Sequence, residues 1–312
     1  MSLSRSMPKL ALPLMLACVA ARGVAQAAPA DTRRVAPASG QLSAKFSAAA
    51  GGRRGYYVTL PANYRSDQRY RLVLVFPGTD TTGAAMQEWF GAGWLPPRVV
   101  GLERLMKDTV FIYPDQRYSW VIDDGSRVKG WALGPYAEPY DGNHDIQFAK
   151  ELLDLAEATY SIDQSKVFAT GHSWGGDMAA VVGCFLGDRF RAIAPVAANT
   201  PYWFGDPVDT SLCKGNPAVW TFFGLDDEHF GDTSPDGLFG IRQNDFWRAR
   251  QGCAAGYTVP AGLLETRQYK GCSAQVRLTL YDGGQYSGGG DNPGHLPPDY
   301  FLPAVSAWFS GF

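Results

Sequence analysis

Gly171-His172-Ser173-Trp174-Gly175 has the GxSxG spacing of a nucleophile turn. The strand-like run KVFAT (166–170) precedes it, and a helix-like run rich in small residues, GGDMAAVV (175–182), follows. The chemistry explains this pattern. A serine hydroxyl that attacks a carbonyl must stand at a sharp strand-to-helix turn in a strained backbone conformation, and the flanking glycines let strand and helix close around it. The helix N-terminus then aims its amides at the negative charge that develops on the attacked oxygen. Ser173 is therefore the expected nucleophile, and the Trp174 backbone N–H is the first expected oxyanion donor.

A serine nucleophile needs a base and an acid, which follow such a turn in the order Ser, then Asp or Glu, then His. The chain has only four histidines. His144 precedes Ser173 and opens a helical pattern. His172 is adjacent to Ser173, and successive side chains at a strand end point apart. His229 closely follows the strand-like VWTFF (219–223), where the acid is expected. His295 remains, in the Gly/Pro-rich GGGDNPGHLPP after the last strand pattern, and is the expected base. The loop after VWTFF reads Gly224-Leu225-Asp226-Asp227-Glu228, and spacing alone does not choose among its three carboxylates. The second oxyanion donor is expected after RLVLVF (71–76), in Pro77-Gly78-Thr79-Asp80-Thr81-Thr82-Gly83. Gly78 frees the backbone to turn there, and the Thr79 N–H is the candidate.

Positioning these groups takes a sheet whose strands all end at the site. Short β-branched or aromatic runs recur at 56–60, 71–76, 109–113, 166–170, 192–196, 219–223 and 276–281, each bounded by Gly, Pro, Asp or Asn. Most are apolar on both faces, as strands of a covered parallel sheet are. Helical patterns lie between them. Residues 145–160 place Ile146, Ala149, Leu152, Leu153, Ala156 and Tyr160 on one face, with Asn143 or Asp141 as the cap. Residues 175–186 and 299–309 also read as helices. This alternation predicts an α/β protein: one catalytic domain over 51–312, built on a mainly parallel, doubly wound sheet.

Charge and composition narrow the partners. Of the 312 residues, 46% are hydrophobic and 19% charged, which fits a globular chain with a large core. The formal net charge is −2 with no basic run, so nucleic acid is not expected as a partner. Arg5 and Lys9, the apolar stretch 10–21 and the small-x-small Ala25-Gln26-Ala27 read as a secretory signal over 1–27. Cleavage there lowers Lys plus Arg from 28 to 25 against 30 Asp plus Glu, a net charge of −5. Residues 28–50, rich in Ala, Ser and Pro, read as a loose leader. No other stretch is long and apolar enough to span a bilayer, so no membrane association is expected after cleavage. Cys184, Cys213, Cys253 and Cys272 remain, an even number that predicts two disulfides in an exported chain. Of the three possible pairings, Cys184–Cys213 with Cys253–Cys272 closes the shortest loops and is the one expected. No CxxC or clustered His/Cys spacing suggests zinc, and no cofactor is implied.

The stretch DGNHDIQFAKELLDLAEATYSIDQSKVFATGHSWGGDMA resembles feruloyl esterases of carbohydrate esterase family 1 and is similar to the related extracellular polyhydroxybutyrate depolymerases. FRAIAPVAA (190–198), NDFWRARQGC (244–253) and GHLPP (294–298) carry the same likeness, which runs in blocks over roughly 70–312. The resemblance implies a single-domain α/β-hydrolase. Its motif of Gly, two residues and the catalytic Asp, laid on Gly224, implies Asp227 as the acid. Its closing Gly-His falls on Gly294 and His295, and its cysteine pattern implies the Cys253–Cys272 bridge. One departure stands out: the family's usual His-Gly at the oxyanion strand is Pro77-Gly78 here.

The implied activity is hydrolysis of carboxylic esters by a secreted serine esterase through an acyl-enzyme. Feruloylated plant polysaccharide is the first expected substrate and poly(3-hydroxybutyrate) or another exported polyester the second. The same triad also cleaves amide bonds, and an acyltransferase or a non-catalytic polysaccharide-binding protein would carry the same fold. The segment 114–141 reads as one long loop and carries Tyr118, Trp120, Trp131, Tyr136 and Tyr140, and Tyr202 and Trp203 follow the next strand. Trp120, Trp131, Tyr136 and Trp203 are the residues expected to line the substrate site.

Overall fold

The computed structural model describes residues 37–94, 99–122, 125–133, 143–198, 210–228, 239–282 and 293–312. In chain order the strands are β1 (Gly40–Lys45), β2 (Arg53–Thr59), β3 (Tyr70–Phe76), β4 (Gly93–Trp94), β5 (Val99–Val100), β6 (Thr109–Pro114), β7 (Tyr118–Val121), β8 (Arg127–Gly130), β9 (Ile162–His172), β10 (Ala192–Val196), β11 (Ala218–Gly224), β12 (Tyr257–Thr258), β13 (Thr266–Tyr269) and β14 (Val276–Tyr281). The α-helices are α1 (Gly83–Met86), α2 (Leu102–Leu105), α3 (His144–Thr159), α4 (Trp174–Phe185), α5 (Phe239–Arg250) and α6 (Phe301–Ser310).

Ten strands form one sheet in the order β1-β2-β6-β3-β9-β10-β11-β14-β13-β12. The six central strands, β6 through β14 in that order, run parallel, and antiparallel strands close both edges. The sheet is mainly parallel and doubly wound, as the alternation of strand and helix patterns predicts. Its two faces are apolar because alternate residues of each strand feed different layers. Along β3, Leu72, Leu74 and Phe76 join the layer that contains α3 and α4, while Val73 and Val75 join the layer under α2 and α6.

From β3 the chain winds outward to β6, then crosses back to β9 on the other side of β3 and continues to β10, β11 and β14. The winding direction therefore reverses between β3 and β9. In open α/β sheets, the carboxyl ends of the two strands at such a reversal diverge and leave a crevice. Here those ends carry Pro77-Gly78-Thr79 and Ser173.

The structure corrects three expectations. Gly40–Lys45, read as part of the loose leader, is the edge strand β1, paired antiparallel with β2. Asn143 occupies the N-cap position of α3 but makes no side-chain cap bond. The start of α3 is instead fixed by Asp145, which accepts from Arg54 Nη2 and from the Ala132 N–H, each at 2.7 Å. Part of the 114–141 segment, expected as a loop, forms the antiparallel hairpin β7–β8. Residues 1–27, with the expected signal, and Asp141, Tyr136, Tyr140, Tyr202 and Trp203 lie outside the described residues.

Cys184 is bonded to Cys213 and Cys253 to Cys272. The first bridge ties α4 to the segment leading into β11. The second ties the end of α5 to the turn before β14.

Candidate active site

Ser173 lies between the last residue of β9 and the first of α4, with φ 57° and ψ −129°. An L-residue at positive φ is strained, at a cost of about 1–3 kcal/mol, and persists only where its surroundings over-determine it. Two backbone bonds do so. The Ser173 N–H donates to the Val196 carbonyl at 3.0 Å, and the Ser173 carbonyl accepts from the Asp177 N–H at 3.0 Å. The flanking glycines are required by space. A Cβ on Gly175 would collide with the Phe76 carbonyl, and one on Gly171 with the Gly175 carbonyl. This close packing of β3, β9 and the start of α4 holds the turn sharp. Trp174 is the first residue of α4, a position whose N–H has no acceptor within the helix.

The three carboxylates that spacing left open are separated by burial. Asp226 and Glu228 are exposed, whereas Asp227 is 1% exposed. His295, at the end of a 3₁₀ turn, bonds through Nδ1 to Asp227 Oδ2 at 2.8 Å. A carboxylate oxygen accepts, so Nδ1 carries the proton and Nε2 of the neutral ring is left with a lone pair. The two loops meet backbone to backbone. A Cβ on Gly224 would strike the Gly294 carbonyl, and one on Gly294 would strike Asp226 and the Asp227 N–H. Tyr281 borders the acid. Burial, then the Asp227 charge and Tyr300, push its hydroxyl well above the ordinary value, so it stays neutral.

The loop after β3 is braced from beneath. The Pro77 carbonyl accepts from Trp131 Nε1 at 2.8 Å and from Gln116 Nε2 at 3.1 Å, and the Gly78 carbonyl accepts from Gln116 Nε2 at 2.9 Å. The Asp80 N–H donates to the Lys129 carbonyl at 3.0 Å and the Lys129 N–H to Asp80 Oδ1 at 2.6 Å, which ties the loop to β8. A Cβ on Gly78 would lie 3.4 Å from Ser173 Cβ, so the loop runs directly against the serine. Thr79 is exposed, and among the described residues its N–H makes no backbone hydrogen bond.

Trp131 is a correction. Expected to line the substrate site, it is fully buried, packs edge-on against Phe76 with ring centroids 5.5 Å apart, and spends its N–H on the Pro77 carbonyl. It braces the loop after β3 from the core. Trp120 is half-buried on β7, with its ring 5.8 Å from that of Trp174. The indole N–H of Trp174 donates to the Trp131 carbonyl at 3.0 Å. The hairpin tip beyond Trp120 exposes Val121 and Ile122.

Two residues that sequence reasoning did not connect to the site also meet there. His172 bonds through Nε2 to the His295 carbonyl at 2.7 Å, and Trp89, in a five-residue π-helical turn at 87–91, packs edge-on against His172. Such π-turns concentrate at functional sites, but no sequence signal marks this one. His144, set aside as a base, bonds through Nδ1 to the Ala49 carbonyl at 2.9 Å. Among the described residues, no group of three or more His, Cys, Asp or Glu side chains could hold a metal ion.

This arrangement can carry out acyl transfer: a strained serine at a helix start, an Asp-oriented imidazole, and, nearby, the Trp174 and Thr79 amides, which among the described residues donate no backbone hydrogen bond outside helices and strands. Comparison with known proteins agrees with that chemistry. The Esterase family model matches residues 47–255, more than half of the chain. The Aspergillus clavatus protein named "Probable feruloyl esterase C" is 27% identical over 75% of this chain and 76% of its own length. "Feruloyl esterase D" of Neurospora crassa is 26% identical over 80% and 79%. Among solved structures, an acetyl xylan esterase from Aspergillus awamori has a TM-score of 0.55 at 15% identity, covering 86% of this chain and 98% of its own. An S-formylglutathione hydrolase from Agrobacterium tumefaciens has a TM-score of 0.54 at 15% identity, covering 88% and 95%. At that identity the structural likeness is one of fold, the α/β-hydrolase fold. The chain belongs to the Esterase family and is a carboxylic ester hydrolase.

Proposed function

We propose that the protein is a secreted serine esterase that releases feruloyl or related acyl groups from plant polysaccharide through Ser173, His295 and Asp227. The reading rests above all on the 2.8 Å Asp227–His295 bond, brought to the carboxyl end of β9, where His172 bonds the His295 carbonyl and Ser173 stands at positive φ. With Nδ1–H donated to Asp227, His295 Nε2 takes the Ser173 proton as Oγ attacks the ester carbonyl. The tetrahedral oxyanion is stabilised by the N–H groups of Trp174 and Thr79. His295 returns the proton to the departing alcohol, and a water activated by the same ring then cleaves the acyl-enzyme. Asp227 stays ionised, holds the ring in the productive tautomer and stabilises the imidazolium.

The feruloyl group is carried over from the names of the relatives and suits the paired rings of Trp120 and Trp174, the second of which follows Ser173 in the chain. Tyr136 and Trp203 are proposed as further residues that contact the substrate. Export, with removal of 1–27, accords with the two disulfides, which persist in oxidising compartments.

The test is hydrolysis of methyl ferulate, a short-chain nitrophenyl ester and a poly(3-hydroxybutyrate) film by the mature protein, each beside Ser173→Ala. Ser173-dependent preference for methyl ferulate, with KM raised by Trp120→Ala, supports the reading. Film clearing without ferulate release would make it a polyester depolymerase. Net acyl transfer to an added alcohol in preference to water would make it a transferase.

A further inference from the structure

We propose that His172 is a positioning residue for His295. Its Nε2–H holds the His295 backbone carbonyl and so fixes the imidazole that Asp227 orients. This inference rests on the triad proposed above and adds a fourth side chain to it.

The tautomer follows from the partner. A backbone carbonyl only accepts, so the 2.7 Å contact places the proton on His172 Nε2. His172 is 8% exposed, and its surroundings fix its plane. Trp89 meets it edge-on, with centroids 4.9 Å apart and planes at 81°, and the His295 ring lies 4.8 Å away at 60°. Gly78 covers the opposite edge: a Cβ there would lie 3.6 Å from His172 Nδ1 and 3.0 Å from the His172 carbonyl.

The mechanical argument concerns how many points hold His295. The bond from Nδ1 to Asp227 fixes the ring end of His295, and the close approach of Gly294 to Asp226 and Asp227 fixes the chain just before it. His172 grips the residue at its carbonyl, 123 residues away in the chain. Each hold on the residue narrows the range of positions that Nε2 can take, and the bond at the carbonyl acts on the side of the residue opposite the ring's bond to Asp227. Geometry of this kind counts, since about 1 Å of misplacement can cost on the order of 10²-fold in rate. Strand alternation gives the division of labour. Ser173 and His172 are consecutive and their side chains diverge, so one addresses the substrate and the other the loop that carries the base. The position needs an N–H donor on a flat ring that packs against Trp89. Phenylalanine would supply the ring without the donor, and glutamine the donor without the ring.

The experiment measures kcat and KM on a soluble nitrophenyl ester for His172→Phe and His172→Gln, with Ser173→Ala and His295→Ala as references. Thermal melting and the far-downfield proton resonance of the His295–Asp227 bond are recorded for each. Expected for His172→Phe are a kcat lower by about 10- to 100-fold, little change in KM, a melt close to wild type and loss of the downfield resonance by exchange broadening. His172→Gln, whose amide reaches the position of Nε2, recovers most of kcat. Wild-type kcat in His172→Phe, with His295→Ala inactive, overturns the positioning role and leaves the triad standing. Equal impairment of Phe and Gln variants that both melt early also overturns it, since packing alone would then account for the residue. An active His295→Ala overturns the triad and this inference with it. Should His172→Phe not fold, His172→Asn replaces it, because its amide falls short of the carbonyl. Equal rates for the Asn and Gln variants would refute the proposal.

Discussion

Gly294→Ala tests how the acid and the base are brought together. Gly294 sits against the backbone of Asp226 and Asp227, and a Cβ there would fall far inside contact distance of the Asp226 carbonyl and the Asp227 N–H. Backbone atoms cannot rotate away as a side-chain tip would, so the two loops must separate by about 1 Å to relieve the overlap. Added to the present 2.8 Å, that separation carries His295 Nδ1 and Asp227 Oδ2 beyond the hydrogen-bond limit of about 3.5 Å. Loss of the orienting carboxylate costs about 10⁴ in kcat in serine hydrolases that use this relay, and partial bending of the loops would leave the loss nearer 10². The expected drop in kcat is therefore about 10²–10⁴, or roughly 3–5 kcal/mol of transition-state stabilisation. The stability cost is smaller, about 1–3 kcal/mol, as for other overpacked positions. Steady-state kinetics on a nitrophenyl ester beside a thermal melt separates the two. Gly224→Ala attacks the same contact from the other side, because its Cβ would meet the Gly294 carbonyl. Wild-type kcat in a folded Gly294→Ala protein would refute the reasoning: the loops would then not need this approach, or the bond they make would not matter.

Other outcomes follow from the same structure. Cys253 and Cys272 are 19 residues apart, and their joint replacement by serine should cost about 3 kcal/mol through freedom restored to the unfolded chain, read from denaturant melts. Arg54 and Asp145 are a buried ion pair at 2.7 Å, and burial raises the Asp145 carboxyl even though Arg54 pulls it down. Arg54→Met strands that carboxylate and should cost about 3–5 kcal/mol, and adding Asp145→Asn should recover part of the loss. Burial raises the Glu151 carboxyl, but bonds from Gln147 and from the Ser47 hydroxyl and N–H outweigh this and hold it below its usual value. A carboxyl lowered in the folded state stabilises above its unfolded pKa, and that stability disappears as the pH falls through the folded value. The difference in melting temperature between wild type and Glu151→Gln should therefore be present at neutral pH and close in acid.

The parallel core was readable because its strands are short apolar runs bounded by turn residues, and a two-sided sheet imposes that pattern locally. Elements whose burial is set by distant partners were not. In β1, GQLSAK turns only its alternate residues inward and has no apolar run. In α5, Gln243 and Asn244 share the buried face with Phe246 and Trp247, which erases the amphipathic stripe. The turn at Ser173 announces itself because strand, sharp turn and helix are contiguous. Asp227 does not, because what separates it from Asp226 and Glu228 is burial against a loop nearly seventy residues further on. There the resemblance, and not spacing, singles out Asp227. Trp131 misled for a related reason: an aromatic residue in a long loop can face the site or anchor the loop, and composition is the same either way.

The central claim is that Ser173, activated by His295, forms the acyl-enzyme. Its most direct test is to treat the mature protein with a fluorophosphonate and locate the adduct by peptide mass mapping, beside Ser173→Ala and His295→Ala. The account predicts stoichiometric labelling of Ser173, none in Ser173→Ala, and labelling in His295→Ala slowed by orders of magnitude. An adduct on another residue, or an unlabelled Ser173 in protein that still hydrolyses esters, would contradict it.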